Sequence, residues 1–411
     1  RRSKFLEEGL EYGAAYLHTN QLKGQALHDR GYTGKDIYIA LLDAGYQYVD
    51  ENIAFDSLRL QNRLLGTKNI AVPHADVFAE HYHGSNVLST MAANIPGQYV
   101  GAAPHASYLL IQTEYNPAEY PFEVDFWVSG LEYADSVGVD VVNSSLGYSE
   151  FDDSALDYAY SDMDGMTIRC SRAAYLASRK GIIVCSSAGN EGSNFWRNIT
   201  SPADAQGIMT VGAVDVLGAI ASFSSFGPTA DNRVKPDVCA TGWGTALVNR
   251  LGNIVTSSGT SYSSPIMAGF LACYLQYCKE NLPFAYSVDM ILENVISSAD
   301  RFENPHEQYG YGIPNFEAAL YCTLASSAIP RVNADFAHIY FDQSSKFLQV
   351  NVLDADETML LKVYDLAGML ISSYICQQEL TNIPLHDLAP GIYFIHANRK
   401  KEVQIVKILI P

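Results

Sequence analysis

The chain has 411 residues, of which 48% are hydrophobic and 17% charged, so it can bury a substantial core and global disorder is excluded. Lys and Arg number 26 against 45 Asp and Glu, which gives a net charge of −19. A chain this acidic is not expected to bind nucleic acid or anionic membranes. No apolar run approaches the roughly 18 residues that span a bilayer, so no transmembrane segment is expected.

From residue 37 to residue 320, short apolar runs alternate with longer amphipathic stretches. The apolar runs are typical of strands buried on both faces; they cover residues 37–42, 108–112, 139–143, 181–186, 208–214 and 238–241. Helices are predicted at residues 84–93, 123–137, 169–179, 261–280 and 288–299. This alternation predicts an α/β fold in which a parallel sheet is sandwiched by helices.

The pattern changes near Thr323. Residues 324–335 are rich in small and turn-forming residues and predict a linker. Closely spaced strand candidates follow at residues 338–341, 346–352, 359–364, 369–374, 392–397 and 403–409. They predict a small all-β sandwich. The expected organisation is therefore a main domain at 1–323, a linker at 324–335 and a C-terminal β-sandwich at 336–411.

Three polar residues stand beside glycines in apolar surroundings. Asp43 ends a buried run, His83 precedes an amphipathic helix, and Ser261 opens another helix. A serine becomes a nucleophile when an imidazole accepts its proton, and the imidazole needs a carboxylate to orient it. Taken singly, each residue has an ordinary alternative: Asp43 as a turn residue, His83 as a plain histidine with His81 as competitor, and Ser261 as an N-cap.

Taken together and in this order, the segments resemble the subtilisin-like serine proteases, or subtilases, over most of residues 30–320. Asp43 lies in Asp-Ala-Gly, His83 at the catalytic position of the family's His-Gly-Thr-His-Val-Ala motif, and Ser261 in Gly-Thr-Ser-Tyr-Ser-Ser-Pro. Asn190, in Ser-Ala-Gly-Asn-Glu-Gly, matches the family position whose side-chain amide donates to the oxyanion. The resemblance implies a serine endopeptidase that acts on polypeptides through an Asp-His-Ser triad and an acyl-enzyme intermediate.

The resemblance also implies a substrate site. Residues 143–147, Asn-Ser-Ser-Leu-Gly, resemble the family's edge strand that pairs with an extended peptide. The implied walls of the primary specificity pocket are Ser145, Leu146 and Gly147, with Ala188 and Gly189 opposite.

The sequence departs from the family pattern at a few positions. Asn86 stands where most members carry a second histidine, and Ile266 stands where many carry one. Neither is a proton-transfer position, so we expect effects on packing or substrate contacts. About 30 residues precede the first strand candidate, so the family's N-terminal prodomain is expected to have been removed or to be absent.

The C-terminal segments at residues 363–368, 388–395 and 403–408 resemble the sorting domain of type IX secretion cargo. A generic Ig-like accessory domain is the alternative. The resemblance implies secretion machinery as a partner and a secreted or cell-surface location in a Gram-negative bacterium. Two alternatives to a general protease stay open: a surface adhesion protein with an inactive protease fold, and an enzyme that processes a few dedicated partners.

No cofactor is required by the implied mechanism, and no metal ligand is predicted. Subtilases often bind structural calcium, and Asp162-Met163-Asp164-Gly165 resembles a fragment of a calcium loop. The closing glutamate of such a loop is absent, and a solvated acidic face is the alternative interpretation of residues 151–165.

Overall fold

The structure is a computed structural model that describes residues 10–282, 286–320, 337–342, 346–352, 359–365, 369–376, 380–385, 388–399 and 402–410. The chain divides into two compact units, Arg1–Cys322 and Thr323–Pro411. The predicted linker at 324–335 lies outside the described residues.

The first unit alternates helices and strands. Its helices are α1 (Tyr16–Gln21), α2 (Gln25–His28), α3 (Asp56–Leu60), α4 (His83–Ala92), α5 (Phe122–Val137), α6 (Arg169–Arg179), α7 (Thr260–Asn281) and α8 (Val288–Ser297). Its strands are β1 (Tyr38–Asp43), β2 (Leu64–Asn69), β3 (Asn94–Ile95), β4 (Tyr99–Val100), β5 (Ser107–Gln112), β6 (Val141–Ser144), β7 (Ile183–Ser187), β8 (Met209–Val214), β9 (Val238–Thr241), β10 (Thr245–Val248) and β11 (Ile254–Ser257).

Seven strands form a parallel sheet in the order β2-β5-β1-β6-β7-β8-β9. Side chains of a strand alternate between the two faces, and β1 shows the consequence. Its Ile39 and Leu41 enter the core beneath α4 and α7, whereas Ala40 and Leu42 enter the core beneath α5 and α6. The predicted α/β fold, a parallel sheet sandwiched by helices, is confirmed.

The prediction of an edge strand at residues 143–147 is wrong for its first two residues. Asn143 and Ser144 belong to β6, which pairs with β1 on one side and β7 on the other. Both residues are buried, as are Val141 and Val142 before them, because helices cover both faces of the sheet at this position. Residues 145–147 continue beyond the end of β6.

The carboxyl ends of the parallel strands meet at one edge of the sheet, which is where ligands bind in α/β proteins. β1 ends at Asp43, β6 at Ser144 and β7 at Ser187. The polar residues that follow these strands therefore lie close together.

The second unit consists of antiparallel strands. They are β12 (Ala337–Asp342), β13 (Phe347–Val352), β14 (Met359–Tyr364), β15 (Leu370–Cys376), β16 (Leu380–Pro384), β17 (Gly391–Arg399) and β18 (Glu402–Ile410). They form two sheets, β12-β13-β16 and β15-β14-β17-β18. Leu348 and Val350 of one sheet share a hydrophobic cluster with Leu361 and Ile395 of the other. These packed sheets agree with the predicted all-β module.

The described cysteines are all buried and reduced; they are Cys170, Cys185, Cys239, Cys273, Cys278 and Cys376. Among the helices that the structure describes, none combines the length and apolar character needed to cross a membrane.

Candidate active site

Asp43 and His83 form a hydrogen-bonded pair at the carboxyl edge of the sheet. The Asp43 side chain is fully buried, and its Oδ1 lies 2.7 Å from His83 Nδ1. The same oxygen accepts a 2.7 Å hydrogen bond from the Ala44 backbone N–H. An ionised carboxylate only accepts, so His83 carries a proton on Nδ1, which leaves Nε2 available as an acceptor when the ring is neutral.

Two glycines allow the start of α4 to approach the end of β1. Gly84 N–H donates to the Gly45 carbonyl at 3.0 Å. A Cβ on Gly84 would lie 2.5 Å from that same oxygen. Gly45 has φ +142°, and a Cβ there would lie 2.8 Å from the backbone nitrogen of His81. The absence of side chains at both positions thus makes the contact between Asp43 and His83 possible.

The environments of His83 and His81 shift their pKa values in opposite directions. Burial disfavours the charged imidazolium, but the negative charge and hydrogen bond of Asp43 outweigh this effect, so the pKa of His83 is raised above its usual value. His81, the competitor noted in the sequence, instead accepts a 3.2 Å hydrogen bond from the His83 backbone N–H through Nδ1. Burial and the neighbouring His83 lower the pKa of His81.

Ser261 lies in the first turn of α7 and is largely buried. Its hydroxyl donates to the Ser145 carbonyl at 3.3 Å, and the Ser145 hydroxyl donates to the Ser261 carbonyl at 2.9 Å. The ring of Tyr262, the next residue, lies 6.2 Å from the His83 ring. His83 and Ser261 share no hydrogen bond in the described chain, and His83 Nε2 has no described partner.

Asn190 is held in one orientation by the residue before Ser261. Its Oδ1 accepts hydrogen bonds from the Thr260 backbone N–H at 2.8 Å and from the Thr260 hydroxyl at 3.0 Å. These bonds leave Nδ2 without a described partner, and both of its N–H groups are free to donate. The Ser261 backbone N–H, in the first turn of a helix, likewise lacks an intrahelical acceptor.

The residues predicted to wall the primary pocket follow β6 and β7. Ser145 and Ala188 are buried, whereas Gly147 is exposed. A Cβ on Gly147 or on Gly189 would lie 2.1 or 3.1 Å from Thr200 Oγ1. Thr200 therefore lies between the two walls, and its hydroxyl is buried without a described partner. No pattern in the sequence indicates Thr200, which stands far from the recognised motifs.

Sequence reasoning also missed a group of acidic residues beside Asp43 and His83. Glu114 and Glu123 are buried, Glu119 is half-buried, and their carboxylates come within 4.8 Å of one another. Among the described residues, these three carboxylates are close enough together to be considered as metal ligands. The only available signal was the i, i+4 spacing of Glu119 and Glu123, which is too common to indicate a site.

Carboxylates of the acidic segment at 151–165 accept hydrogen bonds from backbone N–H groups; these are near in sequence except at Asp152, which accepts from the Glu119 N–H. Asp162 accepts from the Ala159 N–H, and Asp164 accepts from the Met166 and Thr167 N–H groups. Burial opposes ionisation of Asp164, but these hydrogen bonds outweigh it, so the pKa of Asp164 is lowered. These contacts agree with turn formation in this segment.

The positions that depart from the family pattern lie in packed regions. Asn86 is buried on α4, and its Oδ1 has no described partner. Ile266 is fully buried in the core between α7 and the sheet.

Comparison with known families identifies the class of protein that this fold and site define. The model of the subtilase family matches residues 34–312, and that of a secretion system C-terminal sorting domain matches residues 343–411. The first match covers more than half of the chain, so the chain belongs to the subtilase family and is a serine endopeptidase. The resemblance noted in the sequence is thereby confirmed for both parts of the chain.

Similar proteins of known sequence agree with this assignment. Serine protease AprX of Bacillus subtilis (strain 168) is 28% identical over 319 residues, which cover 70% of this chain and 67% of AprX. Subtilisin DY of Bacillus licheniformis is 28% identical over 301 residues, which cover 72% of this chain and 96% of that protein.

Solved structures share the fold. The CspB protease of Clostridium perfringens aligns with a TM-score of 0.63 at 16% identity, covering 75% of this chain and 99% of CspB. MycP1 with its N-terminal propeptide removed aligns with a TM-score of 0.57 at 17% identity, covering 74% of this chain and 96% of MycP1.

Proposed function

We propose that this subtilase is a secreted endopeptidase in which Asp43, His83 and Ser261 form the catalytic triad and Asn190 stabilises the oxyanion. The observation that carries the proposal is the 2.7 Å hydrogen bond between the buried Asp43 and His83, at the sheet edge where α7 begins with Ser261. The agreement of these positions with the family's motifs supports the same roles.

Acylation starts with a rotation of the Ser261 side chain, which turns its hydroxyl from the Ser145 carbonyl towards His83 Nε2. His83 accepts the proton as Ser261 Oγ bonds to the substrate carbonyl carbon, and Asp43 stabilises the imidazolium. His83 then gives the proton to the leaving amine. The C–N bond breaks, and the acyl group remains on Ser261.

Charge develops on the substrate carbonyl oxygen during both halves of the reaction. We assign Asn190 Nδ2 and the Ser261 backbone N–H as the donors to this oxygen, because neither has another acceptor among the described residues. The Thr260 contacts hold the Asn190 amide in place before substrate arrives, so little reorganisation is needed.

Water completes the cycle. His83 accepts its proton as the water oxygen attacks the acyl carbon, and the ester bond to Ser261 breaks as the proton returns to Oγ. Each of these steps uses a group of the chain, so the proposal needs no cofactor. Structural calcium is compatible with it.

The substrate binds as an extended polypeptide between the segments that follow β6 and β7. Main-chain groups of residues 145–147 pair with the peptide backbone, which gives affinity independent of sequence. Ser145, Leu146 and Gly147 form one wall of the primary pocket, and Ala188 and Gly189 form the other.

The sorting-domain match at 343–411 supports export of the enzyme. We infer a peptidase domain at 1–323, a linker at 324–335 and a sorting domain at 336–411. The partner of the sorting domain is the secretion machinery. The enzyme acts at the surface or in the surroundings of a Gram-negative bacterium.

Hydrolysis of denatured casein tests the proposal. The wild-type protein should cleave casein, and Ser261→Ala should lose at least about 10³-fold in kcat/KM because it lacks the nucleophile. Ser263→Ala is the matched control, since it also removes a serine hydroxyl from α7. The Ser263 hydroxyl donates only to the Thr260 carbonyl. Equal activity of wild type and Ser261→Ala contradicts the proposal.

A further inference from the structure

A cleft of about 490 Å³ opens beside His83. Ala44 and residues 145–147 line it on the side of the proposed substrate site. Apart from His83, the remaining lining comes from the loop between β5 and α5, from the start of α5 and from Asp152. Ala188 and Gly189 do not line it, so the cleft is distinct from the primary pocket.

The charged residues in the lining of this cleft are, apart from His83, all acidic; they are Glu114, Glu119, Glu123 and Asp152. None of the four forms an ion pair with a Lys or Arg within the part of the chain that the structure describes. Burial and the neighbouring carboxylates raise the pKa of Glu114 well above its usual range and that of Glu119 to about 7. No lysine or arginine of the described chain therefore compensates the negative charge of these carboxylates.

Some of these carboxylate oxygens are already engaged and others are free. Glu123 accepts from the Tyr115 N–H at 2.7 Å and from the Tyr120 N–H at 3.2 Å, one with each oxygen. Glu114, which is 8% exposed, uses Oε1 to accept from the Tyr148 hydroxyl at 2.7 Å. Glu114 Oε2 and the Glu119 carboxylate accept no hydrogen bond from a described residue.

We propose that this acidic cleft is a second specificity pocket, which binds a lysine or arginine side chain of the substrate on the N-terminal side of the scissile bond. The inference rests on the proposed function, because residues 145–147 are shared by the cleft and the proposed peptide-binding segment. A peptide bound there places a neighbouring side chain into the cleft. Its cationic head then meets the free oxygens of Glu114 and Glu119.

The geometry favours a side chain over a metal ion as the occupant. Calcium takes about six to eight oxygen ligands, whereas both oxygens of Glu123 and one of Glu114 already serve other donors. The cleft is also continuous with His83 and large enough for the aliphatic stem of lysine or arginine.

Paired peptide substrates test the inference. A peptide that the wild-type enzyme cleaves is synthesised with either lysine or the uncharged norleucine at each of the four positions before the cleaved bond. At one position other than the one next to the bond, lysine should raise kcat/KM about tenfold, and added salt should reduce the difference.

Glu119→Gln should lower this preference at least about threefold while norleucine peptides are cleaved as by wild type. Glu132→Gln is the matched control, because Glu132 is exposed on α5 and lies outside the cleft. The assays are run with millimolar calcium and with chelator, and the lysine preference should be the same in both.

The outcomes separate the two claims. Cleavage without any preference for lysine overturns the second specificity pocket and leaves the proposed function standing. A calcium-induced rise in Tm that Glu119→Gln abolishes, without a lysine preference, identifies the cleft as a metal site and also overturns it. Failure of every peptide and of casein overturns the proposed function and this inference together.

Discussion

At the scale of single residues, the hydrogen bond between Asp43 and His83 determines which imidazole nitrogen can accept a proton. Asp43 is fully buried and shares Oδ1 between the imidazole and the Ala44 N–H. An asparagine in its place can present an amide N–H to the ring, which favours the tautomer with the proton on Nε2. His83 Nε2 would then carry a proton and could not accept the proton of Ser261.

Asp43→Asn should therefore lower kcat by about 10²- to 10⁴-fold, the contribution of general acid–base catalysis, with a smaller change in KM. Steady-state hydrolysis of a peptide substrate measures both constants, and circular dichroism checks that the variant is folded. Asp56→Asn, at an exposed carboxylate on α3, should retain the wild-type kcat. A kcat of Asp43→Asn within threefold of wild type contradicts the role assigned to this carboxylate.

The pH dependence follows from the raised pKa of His83. Protonated His83 cannot accept the Ser261 proton, so kcat/KM should fall as the pH drops through the pKa of this ring. Because Asp43 raises that pKa, the midpoint of the acid limb should lie above about 6.5, the usual value for histidine. A profile of kcat/KM against pH at constant ionic strength measures the midpoint, and a value below 6.5 contradicts the assignment.

The motifs around Asp43, His83, Asn190 and Ser261 could be recognised in the sequence because each places a reactive group beside glycines. The acidic cleft could not, because Glu114 follows a strand, Glu119 lies in a loop and Glu123 lies on α5. Only the fold brings these residues together. Thr200 was missed for the same reason.

At the scale of secondary-structure elements, α7 both carries Ser261 and fixes the chain segment that leads into β1. Gln276, near its C-terminal end, is buried, and its Oε1 accepts hydrogen bonds from the backbone N–H groups of Thr33, Gly34 and Lys35. These bonds lie between 3.0 and 3.1 Å. A single side chain therefore connects α7 to the segment that leads into β1, the strand that ends at Asp43.

Gln276→Leu should lower the free energy of unfolding by about 1–3 kcal/mol, because the buried Gly34 N–H loses its acceptor. Chemical denaturation measures the change. Gln206→Leu makes the same chemical change at an exposed position and should stay within about 0.5 kcal/mol of wild type. Equal stability of the two variants means that the Gln276 hydrogen bonds add nothing.

The buried strands and the long helices could be predicted because their apolar patterns are strong; α6 and β14 have the predicted bounds. The missed strands have weaker patterns. β2 is half-exposed at the edge of the sheet and ends in Thr67-Lys68-Asn69, and β16 contains Pro384. The hairpin of β10 and β11 lies outside the main sheet, and β11 exposes Ile254 and Thr256.

At the scale of the whole molecule, each of the two units has a hydrophobic core of its own. The residues of the cluster around Leu361 lie between Ala337 and Ile410, and none belongs to the clusters of the first unit. Since the cores share no residues, we expect the units to unfold as separate cooperative transitions.

Leu361→Ala should destabilise the second unit by about 2–5 kcal/mol, because it removes a fully buried side chain and leaves a cavity. Calorimetry should show one transition at a lower Tm and the other unchanged, and casein hydrolysis at 25 °C should match that of wild type. Leu360→Ala, at the exposed neighbouring position, is the control. A parallel loss of both transitions contradicts the independence of the units.

The net charge of −19 is distributed unevenly between the two units. Residues 336–411 contain six basic and eight acidic residues, so nearly all the excess acidity belongs to the first unit, which contains the parallel sheet. Most of that acidity has no assigned role, but four acidic residues line the cleft beside His83. There we expect charge to select substrates.

Labelling with a fluorophosphonate probe, followed by mass spectrometry of the digested protein, shows directly whether Ser261 is the nucleophile. The probe forms a covalent bond only with a serine that an adjacent base activates. We expect a single adduct on Ser261, which disappears in Ser261→Ala, persists in Ser263→Ala and forms far more slowly in Asp43→Asn. A folded wild-type protein that remains unlabelled, or an adduct on another serine, would contradict this expectation.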